Sequence, residues 1–186
     1  MFFVLLNSVE CQVLGEMSDE EFNIDAEIIE REIGSKKEIS KIWLINSRAY
    51  KVNYGGNTYR IIPFSFLSKS TATKIAILKD DLVPVFIDFD ESELPSRKNV
   101  TDVSLIDFEK KSVMDVAYLF VSGNQGSLIN EAIVLSYRED LNSFGISIDK
   151  TNLLNCYIEK QSKFDSLEEA VNFTSLKKYI GLPCEW

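Results

Sequence analysis

The segment YKVNYGGNTYR, residues 50–60, constrains the fold more than any other stretch of this sequence. Two adjacent glycines between alternating stretches are typical of a β-hairpin, because a two-residue hairpin turn requires positive φ angles. The residues that this register places on one face are Tyr50, Val52, Tyr59 and Ile61. Lys51 then lies opposite Arg60 on the other face. We expect the tyrosines to pack on a core; the alternative is that tyrosines and basic residues together clamp a nucleic acid.

Residues 18–33 have the pattern of an amphipathic helix. Ser18 and Glu21 match the capping box, in which each side chain accepts a hydrogen bond from the other residue's backbone N–H. Apolar residues recur at helical spacing on one face, namely Phe22, Ala26, Ile29 and Ile33. Gly34 is a suitable residue to end this helix.

Apolar runs elsewhere predict further elements. We expect strands at residues 2–6, 42–45, 83–89, 117–121 and 154–159. We expect helices at residues 127–141 and near Leu167, Ala170 and Val171, where Ser166 and Glu169 repeat the capping-box pattern. Residues 92–101 are predicted to form a loop. Because strands and helices do not alternate strictly, the sequence favours one α+β domain over residues 1–186, with a largely antiparallel or mixed β-sheet packed by helices.

The chain contains 29 acidic and 20 basic residues, so its formal net charge is −9. Repulsion from phosphate groups argues against a general binder of nucleic acid or of an anionic membrane, and the charge favours a cationic partner. The sequence contains no histidine. This excludes a Ser-His-Asp triad, a Cys-His nucleophile, imidazole acid–base catalysis and a histidine-ligated metal. We expect neither a cofactor nor a metal ion.

Three cysteines, Cys11, Cys156 and Cys184, lie far apart in the sequence. An odd number of cysteines without paired spacing predicts reduced thiols rather than a disulfide framework. The apolar run at residues 2–6 has no basic leader and is too short for a secretory signal, and no later run is long enough to span a bilayer. These observations predict a cytoplasmic protein.

The stretch VSGNQGS, residues 121–127, precedes the predicted helix at residues 127–141. Glycines ahead of a helix can hold an anion on backbone N–H groups. The stretch matches neither the P-loop pattern nor the dinucleotide fingerprint, and no lysine stands at the start of the predicted helix. We therefore expect a turn at Gly123 and Gly126, with Ser127 as the cap of the helix.

The stretch VPVFIDFDES, residues 83–92, ends an apolar run with Asp88 and Asp90. This Asp-x-Asp pair resembles the first motif of haloacid-dehalogenase-like phosphotransferases. The resemblance implies that Asp88 is a nucleophile, that Asp90 is a general acid/base and that both help to bind magnesium. It also implies that Ser122 binds phosphate. A magnesium-dependent phosphotransferase or phosphatase is therefore the alternative function.

Acidic side chains gather in two regions of the sequence. The first group is Asp88, Asp90, Glu91 and Glu93, and the second is Asp19, Glu20, Glu27 and Glu30. Carboxylates at the rim of an interface pair with lysine and arginine and accelerate the encounter with a basic protein. Because no catalytic motif is complete, we expect a non-enzymatic binding protein of the inhibitor or immunity type, which neutralises a basic partner such as a nuclease toxin.

Overall fold

The fold of the chain is taken from a computed structural model. The structure describes residues 12–34, 41–45, 48–67, 71–80, 83–88, 99–108, 115–124, 127–165 and 170–184. Within these residues, every pair of neighbouring strands is antiparallel, and the strands form two sheets, called sheet A and sheet B.

Sheet A is formed by the strands of the first half of the chain. They are β1 (Gln12–Glu16), β2 (Lys41–Leu44), β3 (Tyr50–Tyr54), β4 (Asn57–Leu67), β5 (Thr71–Lys79) and β6 (Val85–Asp88). The order across the sheet is β1, β3, β4, β5, β6, and β2 pairs with β4. The predicted hairpin is confirmed, since Lys51 pairs with Arg60 and the turn residues Gly55 and Gly56 have φ angles of 59° and 78°.

Helix α1 (Asp19–Gly34) packs on the outer face of sheet A. The predicted capping box is present: the N–H of Glu21 donates to Ser18 Oγ at 3.3 Å, and the N–H of Ser18 donates to Glu21 Oε2 at 3.2 Å. Three of the four predicted apolar positions, Phe22, Ile29 and Ile33, are buried, and Ala26 is half-buried. They join one apolar cluster with side chains of β4 and β5.

Sheet B is formed by strands of the second half of the chain. They are β7 (Asn99–Ile106), β8 (Asp115–Asn124), β9 (Ser127–Arg138) and β10 (Ser143–Ile146), in the order β10, β9, β8, β7. Helix α2 (Ile148–Asp165) packs on the outer face of this sheet through Leu154, Tyr157 and Ile158. Residues 170–184, called the C-terminal segment, contain the short helix α3 (Phe173–Leu176) and join the same apolar cluster.

The inner faces of the two sheets meet in a third apolar cluster. Its fully buried members include Tyr59 and Ile61 of sheet A with Tyr118 and Phe120 of sheet B. The Tyr118 hydroxyl donates across the interface to the Ile61 carbonyl at 3.3 Å, and burial raises the pKa of this hydroxyl. The layers are therefore α1, sheet A, sheet B and α2, so the predicted α+β class with antiparallel pairing is confirmed.

Two secondary-structure predictions in the second half are wrong. Residues predicted as the helix 127–141 form strand β9 up to Arg138. Sheet B is covered on both faces, so residues 132–135 of β9 are apolar on both sides of the strand. Because apolar and polar residues do not alternate there, periodicity cannot distinguish this strand from a helix. The strand predicted at residues 154–159 lies inside α2, where Leu154, Tyr157 and Ile158 have helical spacing.

Other boundaries differ by a few residues. The strand predicted at residues 83–89 is β6, and the loop predicted at residues 92–101 overlaps β7, which begins at Asn99. The helix predicted near Ala170 and Val171 begins only after the cap residue Asn172. The predicted strand 2–6 and the residues Ser166, Leu167 and Glu169 lie outside the described residues.

The prediction of reduced cysteines is also wrong for two of the three. Cys156 on α2 forms a disulfide with Cys184 in the C-terminal segment, across a sequence separation of 28. Cys11 lies outside the described residues. Stable disulfides are typical of oxidising compartments, so the cysteines no longer support a cytoplasmic location. None of the described helices is long and apolar enough to cross a membrane.

Candidate functional site

Helix α1 contains seven acidic residues and one basic residue, which gives it a net charge of −6 in 16 residues. Two of the acids, Glu21 and Asp25, face sheet A and bind the cross-strand pair Lys51 and Arg60. Glu21 Oε1 lies 2.5 Å from Lys51 Nζ, and Asp25 Oδ2 lies 2.7 Å from Arg60 Nε. Glu21 and Asp25 are four residues apart, so they lie one helical turn apart on the same face of α1. This spacing lets each carboxylate reach one of the two neighbouring strands, β3 and β4.

These two ion pairs differ in burial. The side chain of Asp25 is 2% exposed and that of Arg60 is 15% exposed, and the Arg60 guanidinium also donates to the Asp80 carbonyl. Glu21 is more exposed, and the hydrogen bond from Lys51, followed by those from Ser18, lowers the pKa of its carboxyl from 4.5 to about 2. Together the two ion pairs fix the position of α1 on sheet A.

The two faces of the β3–β4 hairpin are both occupied by contacts within the chain. Val52 and Tyr59 are fully buried in the core between the sheets, so the expectation that this face packs on a core is confirmed. Lys51 and Arg60 on the opposite face are paired with carboxylates of α1. The alternative of a nucleic-acid clamp is therefore not supported, because the basic side chains it needs are neutralised within the chain.

The outer face of α1 brings four predicted site residues together. Asp19, Glu20, Glu27 and Glu30 are all exposed, and helical spacing places them on one continuous side of the helix. Ile24, which is 57% exposed, lies beside them, one turn from Glu20 and from Glu27. We call these five residues the acidic face of α1. It combines four exposed carboxylates with an exposed apolar side chain at their edge.

The second predicted acidic group cannot be assembled in the same way. Asp88 is the last residue of β6, where it pairs in register with Lys74 of β5. Asp90, Glu91 and Glu93 lie outside the described residues. The structure therefore locates this group only by its first member, at one edge strand of the described part of sheet A.

Comparison with protein-family models, curated proteins and solved structures gives no match to this chain. The acidic face of α1 must therefore be interpreted from its own geometry.

The fold offers no setting for the resemblance to haloacid-dehalogenase-like phosphotransferases. In open α/β sheets, ligands bind where parallel strands end side by side, and the described strands of this chain pair only antiparallel. Asp88 belongs to sheet A, whereas Ser122 lies buried on β8 of sheet B. Among the described residues, no group of three or more His, Cys, Asp or Glu side chains could hold a metal ion.

The stretch VSGNQGS joins two antiparallel strands. Asn124 of β8 pairs with Ser127 of β9, so β8 and β9 are antiparallel neighbours. Of the two predicted turn residues, Gly123 lies within β8 and pairs with Leu128, and Gly126 lies outside the described residues. The prediction that Ser127 caps a helix is wrong, because β9 begins at that residue. An anion site at a helix N-terminus is thereby excluded at this position.

The polar contacts that attach α2 have no local signal in the sequence. Asp115 of β8 is fully buried, and both of its carboxylate oxygens accept hydrogen bonds from Lys150 of α2, at 3.0 and 2.9 Å. The side chain of Asn155 binds the backbone of Ala132, accepting from its N–H at 2.7 Å and donating to its carbonyl at 3.2 Å. Ala132 lies in the part of β9 beyond its pairing with β10, so α2 covers this strand edge.

Proposed function

We propose that the protein is a non-enzymatic binding protein of the inhibitor or immunity type, which neutralises a basic protein partner such as a nuclease toxin. In this proposal the partner docks on the acidic face of α1. The observation that carries it is that the inward acids Glu21 and Asp25 are paired within the chain. The outer side of the same helix exposes the carboxylates of Glu20, Glu27 and Glu30. Exposed carboxylates on a fixed helix attract a cationic surface.

The stability of the helix does not explain these acids. Negative side chains are favourable near a helix N-terminus, which accounts for Asp19 and Glu20, but this effect is confined to the first turn. Glu27 and Glu30 lie in the second half of α1, three residues apart, where like charges are neighbours on the surface. The helix dipole therefore does not account for these two exposed carboxylates, which supports a role in binding.

Ile24 supports the same proposal through a different property. Its side chain is 57% exposed, and the core contacts of α1 come from the opposite face of the helix. Protein interfaces commonly bury apolar side chains at the centre and keep charged groups at the rim. An exposed isoleucine beside the carboxylates of Glu20 and Glu27 fits a basic partner that has an apolar contact next to its cationic surface.

A pull-down from the native host tests this proposal with a charge-matched control. The binding variant Glu20→Gln, Glu27→Gln, Glu30→Gln removes three exposed acids from α1. The control variant Glu139→Gln, Asp149→Asn, Glu159→Gln removes three exposed acids from the sheet B side. We expect the wild type and the control to retain one basic protein that the binding variant loses, while all three chains unfold at similar temperatures.

Two results would count against the proposal. Equal retention by the two variants would show that net charge or another surface is responsible. If no protein is retained and a small molecule copurifies instead, the inhibitor hypothesis should be abandoned.

A further inference from the structure

The C-terminal segment begins with polar contacts to sheet B. The N–H of Val171 donates to Asn130 Oδ1 at 2.9 Å, and Thr101 Oγ1 donates to the Val171 carbonyl at 3.1 Å. The N–H of Phe173 donates to Asp102 Oδ2 at 2.9 Å. Thr101 is the extra residue of a β-bulge in β7, and its Oγ1 also lies 3.2 Å from the Leu119 carbonyl of β8. These contacts hold the start of the segment independently of its end.

The end of the segment is attached in another way. Leu176 and Tyr179 are buried against Tyr157 and Ile158 of α2, and the Tyr179 ring stacks on Phe164 at a centroid distance of 6.4 Å. Beyond them, Cys184 is covalently bound to Cys156 of α2. Leu176 and Tyr179 therefore cover an apolar face of α2, and the disulfide links the end of the segment covalently to the same helix.

We propose that the Cys156–Cys184 disulfide is a redox-controlled tether for the end of the C-terminal segment. In oxidising surroundings it holds residues 176–184 on α2. In reducing surroundings this part detaches and uncovers apolar side chains of α2, while Val171 and Phe173 stay bound to sheet B. A disulfide limits the conformations open to the chain it closes, so its loss favours the detached state. This inference is independent of the proposed partner.

The release is an ordinary thiol–disulfide exchange with a dithiol reductant. A thiolate of the reductant attacks one sulfur of the pair, and the other cysteine leaves as a thiolate and takes up a proton. The second thiolate of the reductant then displaces the first cysteine from the mixed disulfide. Two electrons and two protons pass to Cys156 and Cys184, and the reductant becomes a cyclic disulfide.

Hydrogen exchange measured by mass spectrometry on the full chain tests this tether, with dithiothreitol as the reductant. The experiment uses a Cys11→Ser background, so that only Cys156 and Cys184 are present. On reduction, we expect amide exchange at residues 176–184 to accelerate by about tenfold or more, with little change at Val171, Phe173 and throughout sheet A. The further variant Cys184→Ser should reproduce the reduced pattern without reductant and should not respond to it.

Three results would overturn the proposal. Alkylation of Cys156 and Cys184 in the unreduced native protein would show that the disulfide does not form. Unchanged exchange at residues 176–184 after reduction would show that packing alone holds the segment. An equal loss of protection over the whole chain would show that the disulfide stabilises the fold in general rather than tethering this segment.

Discussion

The two outer helices are attached to their sheets by different chemistry. Helix α1 binds sheet A through a regular apolar stripe and two ion pairs, Glu21–Lys51 and Asp25–Arg60. Helix α2 binds sheet B through apolar packing, a lysine–aspartate pair and side chains that bond directly to the strand backbone. The first arrangement leaves a surplus of carboxylates on the outer face of its helix, whereas the second uses polar groups to cover a strand edge. The side of the molecule that carries α1 therefore presents the exposed carboxylates on which the proposed partner docks.

The buried ion pair gives the largest expected effect on the sheet A side. Arg60→Ala removes the guanidinium that lies 2.7 Å from the buried Asp25 carboxylate. We expect a loss of about 3–5 kcal/mol in the free energy of unfolding, because a buried charge then lacks its cation. Urea denaturation measures this loss. The double variant Asp25→Leu, Arg60→Met should lose much less; an equal or greater loss would show that packing rather than charge pairing fixes α1.

Truncation of one core residue in each outer layer compares the two attachments directly. Ile29 of α1 and Leu154 of α2 are both fully buried. Ile29→Ala and Leu154→Ala should each lower the free energy of unfolding by roughly 2–5 kcal/mol, through lost apolar contacts and the cavity left behind. Chemical denaturation of the two variants measures both values. A near-zero loss for either would show that the corresponding helix does not complete a core layer.

Removing the contact by which α2 covers the edge of β9 should have a smaller effect on the free energy of unfolding. Asn155→Ala removes the side chain that binds both the N–H and the carbonyl of Ala132. We expect a loss of about 1–3 kcal/mol, since two half-buried backbone groups lose their partner. Asn152→Ala on the exposed side of the same helix is the matched control and should have almost no effect. Similar thermal unfolding of the two variants would contradict the role of Asn155.

The exposed ion pair of α1 gives the smallest effect, and it depends on pH. The folded-state pKa of Glu21 is lowered to about 2, so its charge stabilises the fold above pH 4.5 and loses this effect as the pH falls towards 2. Glu21→Gln should therefore lower stability by about 0.2–1 kcal/mol near pH 6, because the pair is partly exposed. The difference between the two chains should vanish near pH 2. A constant difference across this range would assign the effect to capping instead.

The sequence predicted the sheet A side better than the sheet B side for physical reasons. The Gly55-Gly56 turn and the Ser18–Glu21 capping box are local signals that need no tertiary partner. Strand β9 has apolar residues on both faces because layers cover both sides of sheet B, so its periodicity gave no reliable signal. The Cys156–Cys184 pair and the Asn155–Ala132 contact arise only when distant segments meet.

The candidate site was predictable in part for the same reason. Asp19, Glu20, Glu27 and Glu30 share a helix, so their common exposed face follows from helical geometry. The pairing of Glu21 and Asp25 with the hairpin could not be predicted, because it depends on how α1 lies across two strands. Burial of Asp25 within an apolar layer had no local signal in the sequence.

The assignment of binding to the acidic face of α1 is tested most directly by the rate at which the captured basic partner associates with the protein at increasing salt concentration. For the wild type, we predict fast association at low salt that slows as salt rises, because screening weakens the attraction. Glu20→Gln, Glu27→Gln, Glu30→Gln should slow association at low salt by about tenfold and flatten its salt dependence. Glu139→Gln, Asp149→Asn, Glu159→Gln should keep the wild-type profile. Identical rates for the two variants at every salt concentration would contradict the assignment of binding to the acidic face of α1.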